Sequence, residues 1–274
     1  MELYLLMLLV GICSGILTLL FGFGGGFIIV PLVYSTIRFS TSIDSMAYVL
    51  AFKSAVATSL LLMIVNAGMA SYQQHKKGNI PQGYIFPLAY WIALGAISGT
   101  VLALYSHADL LKWCFAIYLL ITIAECIYRK AQQRHHSAAT GQVRALTGAE
   151  KTVGGLLIGN IAAALGVGGS VMTVPLFRRC GLDMRGAVAL ANPLSLPVAV
   201  AGCFSYVVVY LFNPIDLGTH FIGLFYLPAM LCLVVGGFIG MRCAMPWVGR
   251  LSNRWHEWGY ISLLSVVFLV IVFN

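Results

Sequence analysis

The chain has 274 residues, of which 60% are hydrophobic and only 9% are charged, whereas a soluble domain carries roughly 25% charged residues. The apolar residues come in long runs, which excludes a pair of soluble domains and implies a membrane bundle, because a bilayer core about 30 Å thick takes about 20 apolar residues per helix. The net charge of +8, from 16 Lys and Arg against 8 Asp and Glu, comes without an aromatic-interleaved basic groove; this argues against a nucleic-acid partner and assigns the basic residues to topology-setting loops.

In chain order the apolar runs are 3–21, 27–37, 47–72, 84–105 and 110–128, then 152–165, 170–177, 186–211, 220–241 and 256–273. Runs 27–37, 152–165 and 170–177 are too short to cross alone at about 1.5 Å per residue. Glu2, Leu3 and Tyr4 provide no basic n-region, so the first run reads as retained, not as a cleaved signal. The one long hydrophilic segment, 129–151, divides a first membrane repeat (1–128) from a second (152–274). Within it His135 and His136 read as solvated linker. The seven cysteines are odd in number and lack a CxxC, so they read as small core hydrophobes. No metal site or cofactor is expected.

An internal repeat organises the chain. GILTLLFGFGGGFIIVPL at 15–32 aligns without a gap on GNIAAALGVGGSVMTVPL at 159–176, with an offset of 144. Seven of the 18 positions are identical: Gly15/Gly159, Gly22/Gly166, Gly24/Gly168, Gly25/Gly169, Val30/Val174, Pro31/Pro175 and Leu32/Leu176. Four aligned glycines and a proline exceed what apolar composition gives by chance. An offset of 134 then pairs Ala57/Ala191, Gly68/Gly202, Ser71/Ser205 and Tyr72/Tyr206.

Charge sets the expected topology. Arg129, Lys130, Arg134, Arg144 and Lys151 place the linker in the cytoplasm, and Lys76 and Lys77 follow. If 152–177 enters and returns as a hairpin, 13 of the 16 basic residues lie inside and only Arg38, Lys53 and Lys112 outside. A single crossing would leave 7 inside. The expected fold is therefore an all-α membrane protein of two inverted-topology repeats. Each repeat is a glycine-broken helical hairpin plus three transmembrane helices, with both termini outside, in the cell membrane (for a bacterium, the inner membrane). Secondary transporters use this architecture for alternating access.

The breaks carry the expected chemistry. Non-helical backbone at membrane depth must be enclosed by protein or line a water-filled cavity. The short helix after each break begins near Gly26 or Ser170, and its first N–H groups lack partners inside the helix. Two such helix starts would bind an anion without a fixed cation. The candidate substrate-binding residues are Gly22, Gly24, Gly25, Gly26, Thr58, Ser59, Gly166, Gly168, Gly169, Ser170 and Asn192. Thr58 and Asn192 are related by the 134 offset. Asn66, Thr173 and Asn160 add hydroxyls and amides in or beside apolar runs, where interhelical hydrogen bonding is the alternative role. Lys53 is either a steering charge or a snorkelling one. The eight acids, Glu2, Asp44, Asp109, Glu125, Glu150, Asp183, Asp216 and Glu257, avoid span centres, which argues against a cation cargo. No hydrolase or P-loop motif supports an enzyme.

At these motifs the sequence resembles the TauE/SafE family of sulfite exporters. GILTLLFGFGGGFIIVPLV and GNIAAALGVGGSVMTVPLF carry the resemblance, and AVATSL and Gly68 to Tyr72 extend it. It implies export of a small sulfur-containing anion such as sulfite, thiosulfate or an organosulfonate. The chain departs from its own first copy at Ser170, in place of a glycine, and at Asn192-Pro193, in place of Thr58-Ser59. The expected partners are a small anion and the bilayer, with a homo-oligomer left open. An anion channel and a non-transporting assembly protein are the alternatives.

Overall fold

The computed structural model describes residues 2–22, 24–76, 78, 82–135, 144–248, 250 and 252–273. The first half runs α1 (Glu2–Phe21), α2 (Gly26–Ser40), α3 (Met46–Val49), α4 (Ala51–Lys76), α5 (Leu88–Tyr105) and α6 (Ala108–His135). The second runs α7 (Gly155–Leu165), α8 (Ser170–Arg179), α9 (Met184–Phe212), the strands β1 (Phe221–Ile222) and β2 (Phe225–Tyr226), α10 (Leu227–Ala244) and α11 (Asn253–Phe273). Among the described residues five segments are long and apolar enough to cross a membrane: Tyr4–Phe21, Ala51–Lys76, Leu88–Tyr105, Met184–Phe212 and Leu227–Trp247. Their outer faces expose Leu5, Leu9, Ile97, Val101, Leu231 and Val235, an apolar surface that suits lipid contact.

Two glycine seams hold the bundle together. α1 packs along α10, and α7 along α5. Gly11 and Gly15 of α1 face Gly236, Gly237 and Gly240, while Gly155 and Gly159 of α7 interleave with Gly95 and Gly99. A Cβ on Gly15 would stand 2.1 Å from the Gly237 carbonyl oxygen, and one on Gly159 2.0 Å from that of Ile92. Only glycine permits backbones this close, which is how helices gain packing energy in lipid.

Contacts fix the helix directions. Gly11 meets Leu233, and Leu19 clusters with Ala70, Met241 and Ala244, so α1, α4 and α10 run the same way. Lys53, early in α4, donates to the Leu104 carbonyl near the end of α5, so α5 runs opposite. Gly155 meets Leu88, and Gly99 meets Asn160, so α7 follows α5. The arm after each break turns back. Gly25 lies beside Asn66, whereas Tyr34 stacks edge-on with Phe52 at 6.0 Å; α2 therefore retraces α4. Phe177 near the end of α8 meets Tyr84 just before α5, with 5.8 Å between ring centroids.

One end of the bundle, called here the basic end, holds Lys76, Arg178, Arg179, Arg185 and Arg242. There Arg178 pairs with Glu257 at 2.7 Å and Arg179 pairs with Glu125, tying α8 to α11 and α6. The carbonyl that the internal proline of α8 leaves unmet also has a partner. Pro175 cannot donate to the Val171 carbonyl, and the buried Tyr260 hydroxyl donates to it at 3.4 Å.

Three sequence-derived boundaries shift. The run 220–241 opens as a β-hairpin, not a helix, with Phe221 paired to Tyr226. Gly223 turns it at φ 59°, and Pro228 sits in the first turn of α10. The run 47–72 is divided between α3 and α4. The expected linker is helical through His135; 136–143, with His136, and Lys77 lie outside the described residues.

Candidate functional site at the glycine breaks

The breaks are built from helix C-caps that only glycine makes cheaply. Gly22, at φ 78°, ends α1 with its N–H on the Thr18 carbonyl at 3.0 Å. Gly24 and Gly25 follow at 63° and 90°, so three left-handed residues reverse the chain. Gly166, at 65°, ends α7 with a Schellman pair, Val167 N–H to Ala162 at 2.9 Å and Gly166 N–H to Ala163 at 3.3 Å. Gly169 is right-handed at φ −57°, so the second break is tighter than the first.

The two breaks meet inside the bundle. A Cβ on Gly26 would stand 2.3 Å from the Gly166 carbonyl oxygen, and one on Gly24 3.6 Å from Gly168 Cα. Every candidate residue is buried. Gly24, Gly25 and Gly26 are gathered against Gly166, Gly168, Met63 and Asn66. Gly22 packs on Val188 and Ala191, and Gly169 on Ile158 and Val198. Ser170 makes only a 3.5 Å contact, to the Gly168 carbonyl.

The polar side chains divide by what their hydrogens do. Ser59 donates to the Gly166 carbonyl at 2.7 Å, closing the end of α7 from α4. Asn192 Nδ2 donates to the Thr18 carbonyl at 3.1 Å, closing the end of α1 from α9. Each half thus caps the broken helix of the other. Thr58 donates to Ser54 at 2.7 Å and accepts from Tyr226 N–H at 2.9 Å, so it ties α4 to β2. Asn160 donates to Ser98 at 3.0 Å, an interhelical bond between α7 and α5. Lys53 is spent on the Leu104 carbonyl.

Asn66 is different. It is fully buried, and neither its amide nitrogen nor its oxygen has a partner. Its Nδ2 lies 3.0 Å from where a Cβ on Gly25 would be, at the start of α2. Ser14 Oγ lies on the other side of Gly25, in a 3.5 Å contact with its carbonyl. A buried unpaired amide costs about 1–3 kcal/mol, so its place beside the first N–H groups of a helix points to a ligand group. Asn66 was legible in the sequence as a polar residue within an apolar run, while Ser14 and Met63 carried no comparable signal.

Two broken helices meeting at depth in a multi-pass helical membrane protein suit a transporter. The comparisons specify the class. The sequence profile described as Sulfite exporter TauE/SafE matches residues 7–271, and the chain belongs to that family. A "Probable membrane transporter protein" of Haemophilus influenzae is 28% identical over 266 residues, covering 96% of each chain. A protein of the same description from Methanocaldococcus jannaschii is 25% identical over 218 residues, 76% of this chain and 75% of its own. No solved structure matches.

Proposed function

We propose that this chain is a secondary transporter of a small sulfur-containing anion such as sulfite, thiosulfate or an organosulfonate, working by alternating access between two inverted-topology repeats. The observation that carries the reading is the unpaired Asn66 amide, buried at the start of α2 where the two breaks meet. Partial positive charge at a helix start plus an amide donor suits an oxyanion and needs no fixed cation. The exchanged pairing of α1 with α10 and α7 with α5 supports a pseudo-twofold relation between the halves. The name carried by the family supports a sulfur oxyanion and export as the direction. The basic end faces the cytoplasm on the charge rule, and both termini face outward. Burial of every candidate residue at the breaks favours a carrier over an open channel, which needs a continuous water path.

Purified protein in liposomes is expected to move radiolabelled sulfite, thiosulfate or a small sulfonate, with saturation and counterflow. Flux of none of the three sinks the substrate class. Flux without saturation or counterflow replaces the carrier with a channel.

A further inference from the structure

A cavity of about 310 Å³ opens at the basic end, where α1, α4, α9 and α11 converge. Leu20, Gln74, Asp183, Arg185, Val188 and His256 are among its lining residues. Its inner wall is the outer skin of the first break, since Gly22 packs directly on Val188, with 3.2 Å from its Cβ position to the Val188 oxygen. The cavity sits over the start of α9, which adds the positive pole of a 29-residue helix. Asp183 is the N-cap there and accepts from Gly186 N–H at 2.9 Å, so its carboxylate offsets that positive pole and leaves Arg185 and His256 as the donors the cavity offers an anion. Arg185 stands exposed at the mouth. Deeper in, His256 is 94% buried (6% exposed); the backbone of Leu20 lies beside its ring, but neither ring nitrogen reaches full hydrogen-bond geometry with a protein partner. Its ring is held edge-on to Phe21, centroid to centroid 5.3 Å, the last residue of α1 before the break.

A buried imidazole carries at least one N–H and one further nitrogen to satisfy, and burying them unpaired is costly. An arginine at the mouth and an imidazole at depth form a graded pair of donors leading toward Gly22. The cavity is roomy enough for a small anion that still keeps part of its hydration shell.

We propose that this cavity is an anion-loading site: a second site, distinct from the break, where Arg185 and His256 hold a small oxyanion before it loses its water and passes Gly22. The proposal rests on the transport reading above. Transport proceeds in two stages, with recognition of charge at the basic end and selection at Asn66.

The test is flux of sulfite through full-length protein in liposomes sorted for orientation, comparing Arg185→Gln, His256→Ala and, on the same end but outside this cavity, Arg250→Gln. Arg185→Gln and His256→Ala are expected to raise the half-saturating sulfite concentration from the basic end about tenfold, the worth of one charge-assisted hydrogen bond. Half-saturation from the opposite end and for Arg250→Gln should stay within about twofold of wild type on the same scale. Unchanged half-saturation in both cavity variants, with wild type and Arg250→Gln active, overturns the loading site and leaves the break reading intact. Persistent flux in Asn66→Leu overturns the break reading alone. If wild type moves no sulfite, equilibrium binding of sulfite to the detergent-solubilised protein decides: Arg185-dependent binding supports the site, and its absence ends it.

Discussion

The two glycine breaks share a sequence motif and differ in what they leave open. In the first, Gly22, Gly24 and Gly25 are all left-handed, and the amide of Asn66 beside them has no partner. In the second only Gly166 is left-handed, and Ser59 spends its hydrogen on the Gly166 carbonyl. The same duplicated string faces a wholly unpaired amide in one half, while in the other Ser59 closes the turn and the buried Thr173 hydroxyl, in the first turn of α8, stays unpaired. Sequence symmetry therefore does not carry over into chemical symmetry. The first break offers an amide with both polar atoms unpaired, and the second a carbonyl already capped by Ser59.

The harshest way to break that comparison is Gly26→Val. Its Cβ would fall 2.3 Å from the Gly166 oxygen, so the breaks could not meet. We expect loss of the monodisperse folded species on size exclusion, and a wild-type profile would show that the contact is dispensable. Next is Asn66→Leu, which removes two unsatisfied buried atoms at similar shape. Transport should fall to background while thermal stability holds or rises by about 1–3 kcal/mol. Loss of both together would make Asn66 structural. Ser59→Ala probes the other side. It strands the Gly166 carbonyl, so stability should drop by about 1–3 kcal/mol with half-saturation unchanged in flux assays.

Smaller still is Gly169→Ala. Its φ is negative and its Cβ would press only on Ile158 Cγ2, at 3.2 Å, while meeting Val198 Cγ2 at an ordinary 3.6 Å, so stability should change by less than about 1 kcal/mol and transport should survive. The smallest effect is expected outside the spans. Arg144, then the Thr147 N–H, draw the Glu150 carboxyl from 4.5 down to about 2. A folded pKa below the unfolded one stabilises above the unfolded value, here about 4.5, and the benefit fades as pH falls toward 2. The pair lies at the surface, with side-chain exposures of 45% for Arg144 and 25% for Glu150, so screening keeps the effect small: melting of Glu150→Gln should match wild type closely at pH 7 and coincide with it only as pH falls toward 2.

Much of the bundle was legible in the sequence because period and length report the solvent directly. The helices, the short arms and the position of each break follow from apolar run lengths, glycines and prolines. The seams were also written there, as Gly11/Gly15, Gly95/Gly99, Gly155/Gly159 and Gly236/Gly240. Spacing alone does not say which stripe meets which, since the partners lie far apart in the chain. The β-hairpin at Phe221–Tyr226 hid inside an apolar run because hydropathy does not distinguish a two-residue strand from a helix. Among the candidate polar residues, sequence could place Thr58, Ser59, Asn66 and Asn192 in spans. Whether a donor is spent depends on a distant carbonyl, and only Asn66 among these four has both polar atoms of its side chain unspent.

The exchanged seams also bear on how the chain is made. α7 emerges after α5, its partner, and can dock as soon as it is synthesised. α1 has to wait for α10, whose last residue is Ala244, some 220 residues beyond Phe21. At roughly 5–20 residues per second of synthesis, that is on the order of 10–45 s during which a glycine-lined face stands in lipid with no neighbour. Biogenesis thus has a built-in order, in which the second half closes on the first and the opening helix is locked only once α10 arrives.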